Sequence, residues 1–144
     1  MSAAQRLYTP ELLALAVELA EYPPLETAPA RAEARSPTCG STLALDLVPD
    51  GEGHIARLGM RVRACAVGQA SAAIFARHAA GRDLAGVRDA LEGLEAWLGE
   101  DGPAPDWPDV ELVAPARAYP ARHGAMLLPW KAAVAALSSV APAS

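Results

Sequence analysis

Hydrophobic and polar residues alternate between residues 42 and 64, in the pattern of two half-buried β-strands. In the first strand, residues 42–48, the leucines recur at every second position. In the second, residues 54–64, apolar side chains alternate with arginines. The loop 49–53, PDGEG, separates the two and predicts a β-hairpin. The residues on the predicted buried face are Leu43, Leu45, Leu47, Leu58, Met60, Val62 and Ala64, and those facing away include Asp46, Arg57, Arg61 and Arg63.

Three further segments have helical patterns. Residues 9–22 predict a helix with Thr9 as N-cap and Pro10 in its first turn. Residues 83–98 predict a helix capped by Asp83, and residues 126–137 a final helix that tolerates Pro129 only in its first turn. The predicted apolar stripe of the first helix is Leu12, Leu13, Ala16, Leu19 and Ala20, and that of the second is Leu84, Val87, Leu91, Leu94 and Leu98.

The segments between these elements are connections with one further strand. Residues 23–35 read as an extended connection that ends in an edge strand, and residues 36–41 as a turn. Residues 99–120 contain five prolines and predict irregular structure. We therefore predict an α+β fold, with a small antiparallel sheet of about three strands packed against several helices, in a single domain over residues 1–144.

Cys65 lies where the alternating strand pattern changes to a run of helix formers that ends near Gly81. A cysteine at a helix N-terminus is stabilised as a thiolate by the unpaired N–H groups there. The alternative interpretation is a small buried hydrophobic residue. Cys39 precedes the outgoing strand of the hairpin and Cys65 follows the returning strand, so an antiparallel pairing predicts that the two cysteines are neighbours.

Composition excludes some classes of protein. The net charge of −5 argues against nucleic acid as a partner. No apolar run reaches the roughly 20 residues of a membrane span, and the N-terminus has no signal-peptide pattern, so we expect a cytoplasmic protein with no membrane partner. In that reducing compartment two cysteines are expected to be free thiols or metal ligands.

The sequence has no recognisable catalytic motif. The three histidines are scattered, no glycine-rich loop could hold a phosphate, and no acid/base pair with a mechanism can be named, so we expect a protein that is not an enzyme. The arginine face of the returning strand has two open interpretations: an ordinary solvated surface, or one that steers thiolates or docks an acidic partner.

Three segments in this order carry a family resemblance: PTCGS (37–41), ACAVGQASAA (64–73) after the hairpin, and PAR-x5-LPWKAA (120–133). Together they resemble the IscU/NifU-type iron–sulfur cluster assembly scaffolds, in particular the SufU-like branch, over about residues 9–137. The resemblance implies a SufE/NifU-like fold. It also implies a non-enzymatic scaffold that receives sulfur, iron or metal at Cys39 and Cys65, with a cysteine desulfurase and iron–sulfur client proteins as partners.

The sequence departs from the family pattern at two positions. Ser41 stands where the family has an aspartate, and ungapped alignment places Ala125 where it has a third cysteine, with His123 two residues earlier. One chain thus supplies two thiolates, whereas zinc or a [2Fe–2S] cluster takes about four donors. The missing donors would come from His123, which we count with Cys39 and Cys65 as a candidate ligand, from a homodimer, or from a partner. The alternative is an interaction module of the same fold that binds an assembly partner and no cofactor.

Overall fold

A three-stranded antiparallel sheet, packed on one face by helices, forms the centre of the computed structural model, which describes residues 7–37, 40–100 and 102–140. The strands are β1 (Ala30–Arg35), β2 (Thr42–Pro49) and β3 (Ile55–Arg63), in the order β1-β2-β3. The predicted α+β class, the hairpin and the edge strand β1 are confirmed.

The alternation of β2 produces the packed face of the sheet. Leu43, Leu45 and Leu47 are fully buried. In the register Leu45 lies between Ala32 of β1 and Met60 of β3, so the leucines form the middle row of the sheet core.

Helix α1 (Pro10–Glu18) begins at the predicted cap and continues as a 3₁₀ turn, Leu19–Glu21. The hydroxyl oxygen of Thr9 accepts a hydrogen bond from the N–H of Leu12 at 3.1 Å. The predicted apolar stripe is wrong in part: Leu13 is 46% exposed, whereas Leu15 is buried. Helix α1 packs through its Leu12 and Leu15 side, one turn apart, and this leaves Leu13 facing away.

Helices α2 (Ala66–His78) and α3 (Leu84–Gly99) follow the hairpin. Asp83 caps α3 by accepting the N–H of Gly86 at 2.9 Å, as predicted. The buried face of α3 is rotated from the predicted stripe: Ala90 and Trp97 are buried, while Leu91 is only half-buried. Ala90, Leu94 and Trp97 recur at three- and four-residue intervals, which is the spacing of a single packing face.

The final helix, α4 (Pro120–Val140), is much longer than predicted and forms the middle of the helical layer. It packs on β1 and β2 as well as on α2 and α3. The predicted start at residue 126 is wrong, because Pro120 begins the helix and Pro129 lies inside it. Pro129 removes one helical N–H donor, and burial of this helix on several sides outweighs that loss.

The proline-rich segment before α4 is more regular than expected, because it contains a 3₁₀ helix, Val110–Ala118. The segment is anchored by Trp107, whose ring stacks on Phe75 at 5.3 Å and meets Trp130 edge-on at 5.4 Å. Trp107 also donates its indole N–H to the carbonyl of Ile74 at 3.2 Å. Within the described residues, every helix is too short or too polar to cross a bilayer.

Candidate functional site

Cys65 is the N-cap of α2, as the sequence predicted. Its backbone is extended (φ −64°, ψ 172°), its carbonyl accepts the N–H of Gln69 at 2.9 Å, and its side chain makes no capping hydrogen bond. The thiol is free and partly exposed. Because the first N–H groups of a helix lack helical acceptors, Cys65 lies beside unpaired backbone donors.

The described residues that flank Cys39 lie at the same end of the sheet. Thr42, three residues after Cys39, pairs with Arg63, two residues before Cys65. The N–H of Ser36 donates to the carbonyl of Ser41 at 2.9 Å and closes the turn. Cys39 itself lies outside the described residues, so the predicted proximity of the two sulfurs stays a prediction that rests on the position of their flanking residues.

Ser41 and Ala125, the two positions at which the chain departs from the family pattern, are both buried near this end of the sheet. The side chain of Ser41, where the resemblance places an aspartate, is almost fully enclosed. Ala125 is fully buried against the start of α2: a Cβ added to Gly68 would lie 3.2 Å from the Ala125 Cβ and 2.7 Å from that of Ala64. Ala125 therefore lies against Gly68, three residues after Cys65 in the first turn of α2. It lies in the second turn of α4 and not at its N-terminus, contrary to the sequence-based expectation.

His123 faces another part of the molecule. Its Nε2 lies 2.8 Å from the carbonyl oxygen of Arg117, so Nε2 carries the proton and donates this bond. Two residues along a helix correspond to a rotation of about 200°, which puts His123 and Ala125 on opposite sides of α4. A role of His123 as a ligand stays a prediction, and it would use Nδ1.

One polar cluster escaped the sequence analysis because its members are far apart in the chain. Arg77 of α2 forms a bidentate ion pair with Glu18 of α1, with both N···O distances 2.6 Å, and contacts Asp109 at 3.2 Å. His78 lies 2.7 Å from the same Asp109 carboxylate. The hydrogen bond from Arg77 lowers the pKa of Glu18, and that from His78 lowers the pKa of Asp109. The cluster ties α1 to α2 and to the start of the 3₁₀ helix.

Comparison with known proteins assigns the family. The chain matches the crystal structure of a nitrogen-fixing NifU-like protein (N-terminal) from Brucella abortus with a TM-score of 0.87 and 30% sequence identity. The match covers 97% of this chain and 100% of the other. This chain belongs to the NifU-like N-terminal domain family. The resemblance found in the cysteine motifs is thereby confirmed.

More distant structures share the fold of this NifU-like chain. A putative iron–sulfur cluster assembly scaffold protein for the SUF system from Fervidobacterium islandicum AW-1 matches at a TM-score of 0.81 and 20% identity, over 91% of this chain and 96% of the other. A hypothetical protein of known structure matches with a TM-score of 0.71 and 22% sequence identity, over 88% of this chain and 96% of the other. Neither a family sequence model nor a curated protein sequence matches the chain.

The donor set of this NifU-like chain is incomplete for a metal centre within one protomer. Among residues 7–37, 40–100 and 102–140, no three His, Cys, Asp or Glu side chains come together as a possible metal site. Ala125 has no donor atom, and Ser41 offers a hydroxyl in place of a carboxylate. A shared site of Cys39 and Cys65 stays a prediction, and it would supply two of the about four donors that zinc or a [2Fe–2S] cluster takes.

Proposed function

We propose that this protein is a non-enzymatic iron–sulfur cluster assembly scaffold that receives sulfur and iron at Cys39 and Cys65. The observation that carries the proposal is membership of the NifU-like family together with the position of Cys65, a partly exposed residue at a helix N-terminus. The strand end before it pairs with Thr42, three residues after Cys39. The name of the Fervidobacterium structure, a putative cluster assembly scaffold, supports the same function. The proposed partners are a cysteine desulfurase and iron–sulfur client proteins.

The proposed sulfur-receiving step is a thiol–persulfide exchange. The Cys65 thiolate attacks the outer sulfur of a desulfurase persulfide, so that a new S–S bond forms on Cys65 and the old S–S bond breaks. The electron pair of the broken bond leaves on the desulfurase thiolate. One sulfur atom thus moves to Cys65 with no net oxidation or reduction.

The donor count predicts how a cluster is held. Two thiolates from each of two protomers make the four that a [2Fe–2S] cluster takes. We therefore propose that cluster binding requires a homodimer, or a partner that supplies the second pair. The cluster is cargo in this scheme, since a scaffold must release it.

The second candidate is an interaction module of the same fold without metal chemistry. It is favoured by the two losses at Ser41 and Ala125, which remove the third and fourth donors expected of the family. In this case the two thiols have no role in the function, which is contact with an assembly partner.

Anaerobic reconstitution separates the two candidates. The purified protein is incubated with a cysteine desulfurase and cysteine, and its persulfide mass is measured. Ferrous iron and dithiothreitol are then added, the thiol supplying the electrons that reduce persulfide sulfur to sulfide, and iron, zinc and acid-labile sulfide are measured. The scaffold predicts persulfide on wild type, loss of Cys65-bound sulfur in Cys65→Ser, and cluster in a dimeric fraction. Wild type alkylated at its thiols is the matched control. Neither metal nor persulfide on wild type would reject the scaffold and leave the interaction module.

Restoring the missing donors tests the position of the site. Ala125→Cys combined with Ser41→Asp should raise zinc affinity by at least about tenfold in the monomer, because four donors replace two. Ala136→Cys is the matched control, since Ala136 is also a fully buried alanine of α4. Equal affinity in the double variant and the control would mean that Ala125 does not face the thiol site. Wild-type binding, in contrast, should weaken on dilution as the dimer dissociates.

A further inference from the structure

The open face of the sheet has a groove with basic walls. Its floor is formed by the small residues Thr42 and Ala44 of β2, and the groove has a volume of about 410 Å³. Arg35 and Glu33 of β1 stand on one side. The residues on the other side, from β3, are Arg61 and Arg63.

The strand register explains this arrangement. Arg35, Thr42 and Arg63 form one row across the sheet, and Glu33, Ala44 and Arg61 form the next. Each row has a short side chain between two long ones, so the middle strand is recessed. The alternation within β3 places its arginines on this face, but only the pairing of both outer strands with β2 brings Arg35 beside them.

The groove is closed at one end by the chain itself. The segment before β1 crosses the outer face of β3 at Gly59, where an added Cβ would lie 2.1 Å from the carbonyl oxygen of Pro23. The crossing is held by the N–H of Leu25, which donates to the Asp46 carboxylate at 3.0 Å. It separates Arg57 from Arg61. The other end of the groove is at Gly40, in the turn of Cys39.

The guanidinium groups of the groove are available for a ligand. Among the described residues, Arg35, Arg61 and Arg63 have no ion pair, hydrogen bond or ring contact. Three arginines on the helical side are engaged, in contrast: Arg77 binds Glu18, Arg82 lies over Trp107, and Arg117 over Trp97. In a chain of net charge −5, three unpaired arginines on one patch form a local positive field.

We propose that this groove, lined by Arg35, Arg61 and Arg63, docks an extended acidic segment of a partner protein, with carboxylates at alternating positions. Residues i and i+2 of an extended chain are about 7 Å apart, and Arg61 and Arg63 have the same spacing because they are themselves i and i+2 on a strand. Carboxylates at i and i+2 therefore meet one guanidinium each, and Arg35 lies about 10 Å across the sheet as a third contact.

Two other anionic partners fit the groove less well. A single inorganic anion reaches only part of a set of arginines spread over about 7 to 10 Å. An anionic membrane is flat, gains nothing from the recessed floor, and is repelled by Glu33. Lipid recognition by charge also usually takes about four to eight basic residues.

The test is a peptide titration with the full chain and no metal, so it is independent of the proposed cluster chemistry. A fluorescein-labelled peptide of alternating glutamate and serine is titrated by fluorescence anisotropy. We expect saturable binding, little binding of the glutamine–serine peptide, and weaker binding when the same glutamates are grouped at one end. Raising the salt from about 50 to 200 mM should weaken binding several-fold.

The variants locate the binding to the groove. Arg61→Glu with Arg63→Glu should lower affinity at least about tenfold, and Glu33→Gln should raise it. The matched control is Arg88→Glu with Lys131→Glu, which makes the same charge change at exposed positions on the helices. A milder variant, Arg35→Gln, tests the third contact without charge reversal. Unfolding curves verify that each variant is folded.

Three results would overturn the proposal. The first is equal loss of peptide affinity in the groove variant and in the helix-face control. The second is complete displacement of the peptide by sulfate at a concentration matched to that of the glutamate side chains. That result would indicate a simple anion site. The third is binding to vesicles of equal parts phosphatidylserine and phosphatidylcholine, lost in the groove variant, with no peptide binding.

Discussion

The two faces of the sheet are built from alternate residues of the same strands, yet they differ in almost every physical respect. On the packed face, Leu43, Leu45 and Leu47 are fully buried under helix α4 and its neighbours. On the open face, Thr42 and Ala44 form the floor of a groove between unpaired arginines. Because side chains alternate between the two faces, the same strands supply a hydrophobic core on one side and the proposed binding groove on the other.

Three arginines of the helical side differ in a similar way from the three arginines of the groove. On the helical side Arg77 is fixed by Glu18 and Asp109, and Arg82 and Arg117 lie over tryptophan rings. These guanidinium groups hold elements together. The groove arginines make no such contact with the described residues, so replacing them should alter binding and leave the fold intact.

The largest expected effect is on the packed face. Leu45→Ala should lower the free energy of unfolding by about 2–5 kcal/mol, because it leaves a cavity in the middle row of the sheet core. Thr42→Ala, on the open face, should change it by less than about 1 kcal/mol. Urea unfolding measures both. Similar losses for the two variants would contradict the division between the faces.

A second, smaller effect is expected at Gly59, where the segment before β1 covers part of the open face. Gly59→Ala puts a Cβ onto the carbonyl oxygen of Pro23 and must displace the crossing segment, at a cost of about 1–3 kcal/mol. The exposed Ala56→Ser on the same strand is the control and should be nearly neutral. Amide exchange at Leu25 and Met60, whose N–H groups bond Asp46 and Tyr22, should accelerate in Gly59→Ala. Unchanged exchange would mean that the crossing is not packed at Gly59.

The ion-pair cluster on the helical side predicts a pH dependence. The folded pKa of Glu18 is lowered from its ordinary value of 4.5, and that of Asp109 from 3.8. Folded carboxylates with lowered pKa values contribute stability above their ordinary pKa and lose it as the pH falls through the folded pKa. Wild type should therefore begin to lose stability as the pH falls below about 4.5 and continue to lose it below 3.8, as the two carboxylates become protonated.

The Glu18→Gln variant sharpens this test. It should be less stable than wild type at pH 7 by about 1 kcal/mol, and the difference should shrink as the pH falls below 4, because the wild-type carboxylate then becomes protonated. Glu92→Gln, at an exposed position of α3, is the matched control. A constant difference between wild type and Glu18→Gln over this pH range would exclude an electrostatic origin.

The smallest expected effect on stability comes from the groove arginines. Arg63→Gln should change the free energy of unfolding by less than about 0.5 kcal/mol, since its side chain has no partner within the described chain. Arg77→Gln should cost about 1 kcal/mol. If Arg63→Gln were the more destabilising of the two, the groove would be part of the structural framework and not a binding surface.

Features of the fold that depend on nearby residues could be predicted from the sequence. The Thr9 and Asp83 caps, the alternation of β2 and the position of Cys65 at a strand-to-helix junction all follow from periodicity and from residues within one turn of each other. The cysteine motifs in their order also led to the family.

The candidate site was predicted only in part. The pairing of Thr42 with Arg63 agrees with the expectation that the flanks of the two cysteines meet. The sequence predicted a final helix that begins at residue 126, just after Ala125. The helix instead begins at Pro120 and continues through Pro129, so Ala125 lies in its second turn, against Gly68. Local helix propensity disfavours a proline inside a helix, as at Pro129. The burial of α4 against its neighbours stabilises the helix by more than the proline costs.

What the sequence by itself determined is therefore the identity and order of the strands and α-helices, and which residues of β2 face inward. Only the tertiary structure decided which side of α1 is buried, how far α4 extends, and which distant charges meet. Glu18 and Arg77 are 59 residues apart in the chain, and Arg35 and Arg63 are brought together only by pairing through β2. Such contacts depend on the packing of whole elements, and no periodicity within a single segment encodes them.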